Sequence, residues 1–290
     1  MHKGNAAQAA WACAVLAVIA GISTIAVAGE TKEIPDHAGF QSCEGCHDQQ
    51  HSMWAASGHS KSISRVTNSP RATADCYGCH SAEGFAAKRE GKKVDLAAKE
   101  SLHSIGCLTC HDPRGAKYPD KLVMDRDELC ESCHTQRAVL QGRGAKGIED
   151  MRSVHSDVSC VSCHMSEGNH RMQVLRPDDP SLSATRLDTC TACHKDGNGK
   201  ARAKELQEWQ AEYQESMDKL QATLTAVNAT LKDKPDLLNA DLKAKLDTVK
   251  QNLSILQRDG SRSAHNPDFA IAVMAEASSD LNEVKAGVGR

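Results

Sequence analysis

Pairs of cysteines separated by two residues and followed at once by a histidine recur through the first two thirds of the chain. The pattern Cys-x-x-Cys-His occurs six times between residues 43 and 194. Cysteines three positions apart lie on one side of a helical turn, so both thiols can reach the two vinyl groups along one edge of a haem. The adjacent histidine can then bind the iron as proximal ligand. The pattern therefore predicts six covalently attached c-type haems.

The six motifs use twelve of the thirteen cysteines of the chain. The cysteines predicted to bind haem are Cys43, Cys46, Cys76, Cys79, Cys107, Cys110, Cys130, Cys133, Cys160, Cys163, Cys190 and Cys193. The predicted proximal iron ligands are His47, His80, His111, His134, His164 and His194.

Other cysteine chemistries explain this pattern less well. Zinc ribbons also use paired cysteines, but they rarely need a histidine directly after every second cysteine. A thioredoxin-like redox motif would occur once, beside a strand and a helix. A disulfide framework does not account for the six adjacent histidines. Haem attachment is the interpretation that uses all three positions of each motif.

The composition indicates that the haems would also provide the interior. Only 3% of the 290 residues are aromatic, and mean hydropathy is −0.49. Large apolar side chains are therefore scarce, and each macrocycle would act as a large apolar plate at the centre of a thin protein coat. The formal net charge of −3 is close to neutral, so no nucleic-acid partner is indicated.

Residues 1–28 have the features of a secretory signal peptide. Lys3 precedes a continuous apolar run from residue 9 to residue 28, which ends in the small-residue site Ala26-Val27-Ala28. The prediction is therefore export to the periplasm with cleavage after this site. An uncleaved membrane anchor is the alternative, because the run is almost long enough to span a bilayer.

The remainder of the chain divides by composition into a predicted hexahaem-binding region, residues 29–199, and a C-terminal helical region, residues 200–290. In the first, successive motifs begin 23 to 33 residues apart, with Gly- and Pro-containing loops between them and no alternating strand pattern. The expected fold is mainly α, with little or no sheet. Short helices and loops pack on haem and are followed by a bundle of about three long helices.

Apolar residues at intervals of three and four predict those three helices. The first runs from Leu206 to Leu231 and includes Trp209, and 234–236 (Lys-Pro-Asp) breaks it. The second runs from Leu238 to Leu256 and ends at Gly260, and the third starts after Asn266 as N-cap. Short connections predict that the first two form an antiparallel hairpin. The apolar stripes are expected to pack within the chain or on haem, with a homo-oligomer interface as the alternative.

Histidines outside the motifs could supply the sixth iron ligands that electron-transfer haems need. Their number nearly matches six haems. The expected distal ligands are His59, His103, His155, His170 and His265, with His37 and His51 as less secure candidates. His265 immediately precedes a capped helix, which would mount it rigidly. His103 and His155 lie shortly before a motif, so each is expected to bind a neighbouring haem. Met165 and Met172 are ranked below the histidines.

From Cys76 onward the chain resembles pentahaem cytochrome c nitrite reductases and their octahaem and tetrahaem c554-like relatives. The matching segments are 106–111 (GCLTCH), 155–165 (HSDVSCVSCHM), 168–170 (GNH) and 264–267 (AHNP), together with the long helices. The 53–59 segment, which ends in His59, is similar to the c554 arrangement, in which this histidine is a distal ligand. The resemblance implies the fold, but not one activity, since the family includes both enzymes and electron carriers.

The chain departs from the nitrite reductases at two of three catalytic features. Their catalytic haem typically has a Cys-x-x-Cys-Lys motif, whereas the corresponding motif here ends in His80. Their active-site tyrosine is replaced by 135–137 (Thr-Gln-Arg). The third feature, an active-site histidine, corresponds to His170.

The favoured hypothesis is an exported hexahaem cytochrome that carries electrons between redox proteins along mostly bis-His haems. Its partners would be a membrane quinol-oxidising cytochrome on one side and a terminal reductase or an extracellular conduit on the other. The first alternative is a reductase or oxidase of small oxyanions such as nitrite or hydroxylamine. Its open haem would be at 76–80, with His170 and Arg137 above it. The second alternative is a subunit of a conducting cytochrome filament.

Overall fold

Helices and the loops between them make up the described part of the protein. The computed structural model describes residues 43–115, 117–177, 179–183, 186–195 and 198–289. The predicted signal peptide and His37 lie outside these residues. Within them there is no strand, and the ladder contacts are two isolated bridges, His111–Leu122 and Ser183–Arg186. The prediction of a mainly α fold with little or no sheet is confirmed.

Short α-helices fill the region of the six motifs. They are α1 (Asp48–Ala55), α2 (Ser64–Thr67), α3 (Ala74–His80), α4 (Ala82–Arg89), α5 (Cys107–Cys110), α6 (Arg126–Glu131), α7 (Arg137–Leu140), α8 (Cys160–His164) and α9 (Thr189–Cys193). Polar side chains define several of their first residues. Asp188 accepts from the backbone nitrogen of Thr191 at 2.9 Å, and Ser81 accepts from that of Gly84 at 3.0 Å. Such caps stabilise helices that are too short to persist alone.

Three long helices follow: α10 (Gly199–Asp233), α11 (Ala240–Asp259) and α12 (Pro267–Val288). The signals that delimit them are the predicted ones. Pro235 begins a single 3₁₀ turn after α10, and Gly260 ends α11 in the left-handed conformation at φ 69°. The Asn266 side chain caps α12 by accepting from the backbone nitrogen of Phe269 at 3.1 Å.

The apolar core of the described residues lies among these three helices. α12 is the principal partner of both α10 and α11, so it lies between them rather than beside a simple hairpin of the first two. The physical reason is its composition, since Phe269, Val273 and Val284 are fully buried and α12 offers apolar side chains on more than one side. Apolar burial is sparse around the motifs by comparison.

The N-terminal end of the first predicted stripe differs from expectation. Tyr213, Met217, Leu220, Leu224 and Val227 are buried as the period predicts. Trp209 is 36% exposed, so this turn of α10 lies at the surface.

Two buried asparagines attach the long helices to the motif region. The Asn252 side chain accepts from the backbone nitrogen of Lys146 at 2.8 Å and donates to its carbonyl at 2.9 Å. Asn266 donates to the carbonyl of Val139 at 3.1 Å. Both side chains are at most 1% exposed. A buried amide that satisfies backbone groups in this way fixes the segment that follows the fourth motif against the helices.

Replacing Phe269 with alanine is expected to lower the free energy of unfolding by about 3–5 kcal/mol, because a fully buried aromatic side chain leaves a cavity. Chemical denaturation followed by far-UV circular dichroism measures it. The matched control is Ile271→Ala on the same helix. Ile271 is 58% exposed, so its loss should change stability by less than about 0.5 kcal/mol. Equal losses in the two variants would contradict the placement of the core.

Candidate functional site

Each Cys-x-x-Cys-His motif forms a helical turn. Two motifs lie in α3 and α8. In the other four, the backbone nitrogen of the histidine donates to the carbonyl of the first cysteine at 2.8–2.9 Å: His47 to Cys43, His111 to Cys107, His134 to Cys130 and His194 to Cys190. This i to i+4 bond closes one α-turn, so both thiols project from one side, as attachment along a single haem edge requires.

None of the twelve motif cysteines forms a disulfide bond within the described residues. Cys46 and Cys193 are exposed, and the others are half-buried. Burial, followed by the nearby Cys43, raises the pKa of Cys107 to about 11, and burial raises the pKa of Cys110 to about 12. These cysteines are therefore protonated at neutral pH, and the thiol is the group that adds across a vinyl double bond.

Thiols of different motifs lie side by side. Three pairs are close enough for their thiols to interact: Cys43 with Cys107, Cys79 with Cys133, and Cys130 with Cys160. Two further sets interact electrostatically: Cys110 with Cys133, and Cys163 with Cys190 and Cys193. In space the motifs therefore follow the order first, third, fourth, fifth and sixth, with the second beside the fourth. Every motif lies next to at least one other.

Four proximal histidines each face a second imidazole. The ring-centroid separations are 6.0 Å for His59 and His134, 6.3 Å for His111 and His170, 6.2 Å for His155 and His194, and 6.1 Å for His164 and His265. An imidazole nitrogen lies about 2.0 Å from a first-row metal ion, which places the centroids of two trans imidazoles roughly 6 Å apart. The four gaps therefore fit an iron with two histidine ligands.

Burial favours the neutral form of these imidazoles. It lowers the pKa of His59, His134, His155 and His164, and the charge of a nearby histidine lowers each further. Neutral imidazole is the form that coordinates a metal, so the environment of the pairs suits ligation.

Hydrogen bonds at Nδ1 orient several of these rings. The Nδ1 atom of His111 lies 2.8 Å from the carbonyl oxygen of Asp120, and that of His170 lies 2.9 Å from the carbonyl of Gly168. His265 instead places Nδ1 2.6 Å from a carboxylate oxygen of Asp259. An acceptor at Nδ1 fixes the proton there and leaves Nε2 free to bind a metal. Met172 contacts the Nδ1 side of His59.

The first and second motifs lack such a pair among the described residues. No imidazole in that part of the chain lies opposite His47 or His80. The Nδ1 atom of His80 lies 3.2 Å from the carbonyl oxygen of Ser62, so its ring has the same kind of orienting contact. A sixth ligand for these two positions is not assigned by the described geometry.

The two remaining described candidates each contact a carboxylate. His103 places Nδ1 2.6 Å from Glu83, and His51 places Nδ1 3.5 Å from Glu44, with its ring beside Trp54. Neither faces a proximal histidine among the described residues. Their predicted role as ligands stays a prediction, as does that of His37.

The arrangement does not bring His170 and Arg137 to the second motif. His170 faces His111 of the third motif instead of His80. Arg137 forms ion pairs with Asp127 at 3.1 Å and Glu131 at 2.7 Å, and its side chain is only 16% exposed. The alternative that placed these two residues above an open haem at 76–80 is therefore corrected. The reason is that each already has partners elsewhere in the fold.

The ion pair between Arg137 and Asp127 connects two of the motifs. This carboxylate, three residues before the fourth motif, accepts from the backbone nitrogen of Cys160 at 3.0 Å and from the Ser159 hydroxyl at 2.7 Å. It therefore caps α8, which carries the fifth motif. The pair fixes the fourth and fifth motifs against each other.

Comparisons with known proteins agree with this chemistry. Residues 101–139 match the family model described as a doubled CXXCH motif, and residues 42–112 match that of cytochrome c554 and c-prime. The multiheme cytochrome MtrA of Shewanella baltica is 26% identical over 157 residues, which cover 46% of this chain and 41% of the relative. The chain is a multihaem c-type cytochrome. It carries covalently attached c-type haem.

Solved structures share the fold of this cytochrome. The outer cell wall cytochrome OcwA is 26% identical with a TM-score of 0.66, over 80% of this chain and 50% of that one. The S-layer undecaheme cytochrome of Carboxydothermus ferrireducens has a TM-score of 0.56 at 22% identity, over 78% of this chain and 40% of that one. The cytochrome c nitrite reductase of Desulfovibrio desulfuricans has a TM-score of 0.56 at 16% identity, over 80% of this chain and 70% of that one.

The resemblance to c554-like and nitrite reductase-like cytochromes is thereby confirmed at the level of fold. The cytochrome spans about half or less of the length of MtrA, OcwA and the S-layer protein. None of its described helices has the length and apolar character needed to cross a membrane.

Sequence reasoning missed the carboxylates that contact two histidines. Asp259 lies six residues before His265 across a left-handed turn, and Glu83 lies twenty residues before His103. The Asp259–His265 contact could have been found from the sequence, because the left-handed turn at Gly260 directs the acid before it toward the following loop. The Glu83–His103 contact depends on tertiary packing.

Proposed function

We propose that this protein is an exported hexahaem c-type cytochrome that carries electrons along closely spaced haems, most of them with two histidine ligands. The observation that carries the proposal is the set of four imidazole pairs with centroids 6.0–6.3 Å apart. Two strong axial ligands keep an iron six-coordinate and leave no position for substrate, which suits electron transfer. The remaining two motifs complete the count of six.

The contacts between motifs support a continuous path. The haems supply one-electron redox chemistry, and the protein holds their attachment points side by side. The third, fourth and fifth motifs are linked through the Cys110–Cys133 and Cys130–Cys160 contacts. Exposed Cys46 and Cys193 lie at the two ends of the series, where partners could approach. Electrons would enter at one end and leave at the other.

The proposed organisation has three parts. Residues 1–28 would act as an export signal, residues 29–199 would bind the six haems, and residues 200–290 would supply the distal ligand His265. The names of OcwA and of the S-layer cytochrome place those relatives outside the cell membrane, which supports export to the periplasm or beyond. The partners would be other redox proteins, such as a membrane quinol-oxidising cytochrome and a terminal reductase or extracellular conduit.

Electron paramagnetic resonance of the fully oxidised protein tests this proposal. At least four low-spin ferric haems per chain are expected, and their optical spectrum should not change on addition of cyanide, nitrite or hydroxylamine. A predominantly high-spin spectrum that changes with these ligands would contradict the electron-carrier function. Intact-mass measurement on the same sample gives the haem count, which should be six.

One observation favours a second function, reduction or oxidation of a small oxyanion at the haem of Cys76, Cys79 and His80. Within the described ranges no imidazole faces His80 or His47, and of these two the second motif corresponds to the catalytic haem of the nitrite reductases, so its iron is the candidate for an open coordination site. Here a single high-spin haem, converted to low-spin on cyanide binding, would accompany otherwise unchanged low-spin haems. An entirely low-spin oxidised spectrum would exclude this second function.

A further inference from the structure

A buried carboxylate contacts one of the histidines that face a proximal ligand. Asp259, the last residue of α11, places a carboxylate oxygen 2.6 Å from Nδ1 of His265. The Asp259 side chain is 3% exposed and that of His265 is 21% exposed. The His265 ring also faces His164 of the fifth motif, at a centroid separation of 6.1 Å. Asp259 therefore contacts the imidazole that faces His164.

Backbone and serine contacts hold this carboxylate in a single orientation. Ser261 donates to Asp259 from its backbone nitrogen, at 3.2 Å, and from its hydroxyl. The same hydroxyl accepts from the backbone nitrogen of His265 at 3.1 Å. The loop between α11 and α12 thus forms a closed ring of hydrogen bonds. A carboxylate anchored in this way keeps its contact with the imidazole.

No lysine or arginine of the described chain forms an ion pair with Asp259, whose salt-bridge contact is with His265. By contrast, the Nδ1 acceptors of His111 and His170 are neutral backbone carbonyls. A buried, uncompensated negative charge interacts strongly with nearby charges because little water screens it. The fifth-motif site therefore differs in charge from the pair at the third motif.

We propose that Asp259 lowers the reduction potential of the haem bound at Cys160, Cys163 and His164, as a positioning residue that acts through His265. A carboxylate that accepts the Nδ1 proton raises the basicity of the ligand, and its charge stabilises the ferric state over the ferrous state. This inference rests on the proposed function, because it takes His265 as the sixth ligand. It makes the fifth haem more difficult to reduce than the third, whose two ligands have neutral carbonyl acceptors.

The Glu83–His103 contact has the same length of 2.6 Å but a different environment. The Glu83 side chain is 22% exposed and that of His103 is 43% exposed, so water screens this pair. The stronger electrostatic effect is therefore assigned to Asp259.

The test is Asp259→Asn in the haem-loaded protein, with potentials measured by spectroelectrochemical titration. One haem should shift to a more positive potential, by about tenfold in its one-electron reduction equilibrium, which corresponds to about 59 mV. The low-spin ferric signal of that haem should also change its g-values. Asp259→Glu, which keeps a carboxylate, should restore the potential toward wild type. Should the asparagine variant not accumulate, Asp259→Ser gives the same charge change.

The matched control is Asp280→Asn on α12. Asp280 is also a buried acid, but it pairs with Lys245 at 2.9 Å and lies about 22 Å along the helix from His265. This variant should leave all potentials unchanged. Equal shifts in Asp259→Asn and Asp280→Asn would indicate a general structural effect and overturn the inference.

Failure of the inference and failure of the proposed function are distinguishable. If His265→Ala makes one haem high-spin while Asp259→Asn leaves every potential unchanged, His265 is a ligand and the assignment to Asp259 is wrong. If His265→Ala leaves all haems low-spin, the ligand assignment of the proposed function itself is wrong, and the inference falls with it.

Discussion

His265→Ala is expected to convert one low-spin ferric haem of the cytochrome to high-spin. The imidazole of His265 faces that of His164 at a centroid separation of 6.1 Å, and no other described imidazole faces His164. Alanine cannot coordinate, so the iron at the fifth motif would lose its sixth strong ligand. Electron paramagnetic resonance should show one new high-spin signal per chain. Cyanide should then bind that haem and return it to low-spin.

The exposed residue Asp268, in the first turn of α12, which follows His265, provides the matched control. Asp268→Ala should leave the spectrum entirely low-spin at the fifth motif. His155→Ala repeats the test at the sixth motif, because His155 faces His194 at 6.2 Å. Unchanged low-spin intensity in both histidine variants would refute the assigned pairs.

Replacing both cysteines of the fourth motif, Cys130 and Cys133, with alanine should have the largest effect on folding. Their thiols contact Cys160 and Cys79, and Cys110 lies close by, so three other motifs meet at this one. Loss of the haem there would remove the apolar plate around which these turns pack. We expect little or no haem-loaded protein to accumulate, as measured by haem staining and intact mass.

The matched variant carries the same two changes at the first motif, Cys43 and Cys46. This motif is at one end of the series, and within the described ranges its thiol contact is with Cys107. It should accumulate as a folded protein that lacks the mass of one haem. If the two double variants accumulate equally, the fourth motif is not the junction of the series.

The local features of this protein could be predicted from its sequence because the signals that encode them are local. The cysteines and proximal histidine of each motif are adjacent residues, and one helical turn is enough to align them. The bounds of the long helices follow from Pro235, Gly260 and Asn266, each of which acts on its own backbone. The capped helix that follows His265 predicts a rigidly mounted ligand, and His265 lies opposite a proximal histidine.

The pairing of imidazoles could not be predicted, because the partners are far apart in the sequence and only the folded chain brings them together. His170 illustrates this limit. The resemblance to the nitrite reductases places it above the second-motif haem, yet it faces His111 of the third. Arg137 illustrates a second limit. A cation near a motif can act on a bound ligand, but it can equally hold two motifs together, as Arg137 does through Asp127.

Iron-edge anomalous diffraction from crystals of the haem-loaded protein tests the central claim most directly. The account predicts six iron positions, with one between the imidazoles of each pair: His59 and His134, His111 and His170, His155 and His194, and His164 and His265. An iron displaced from any of these four gaps, or bound there by only one histidine, would contradict it.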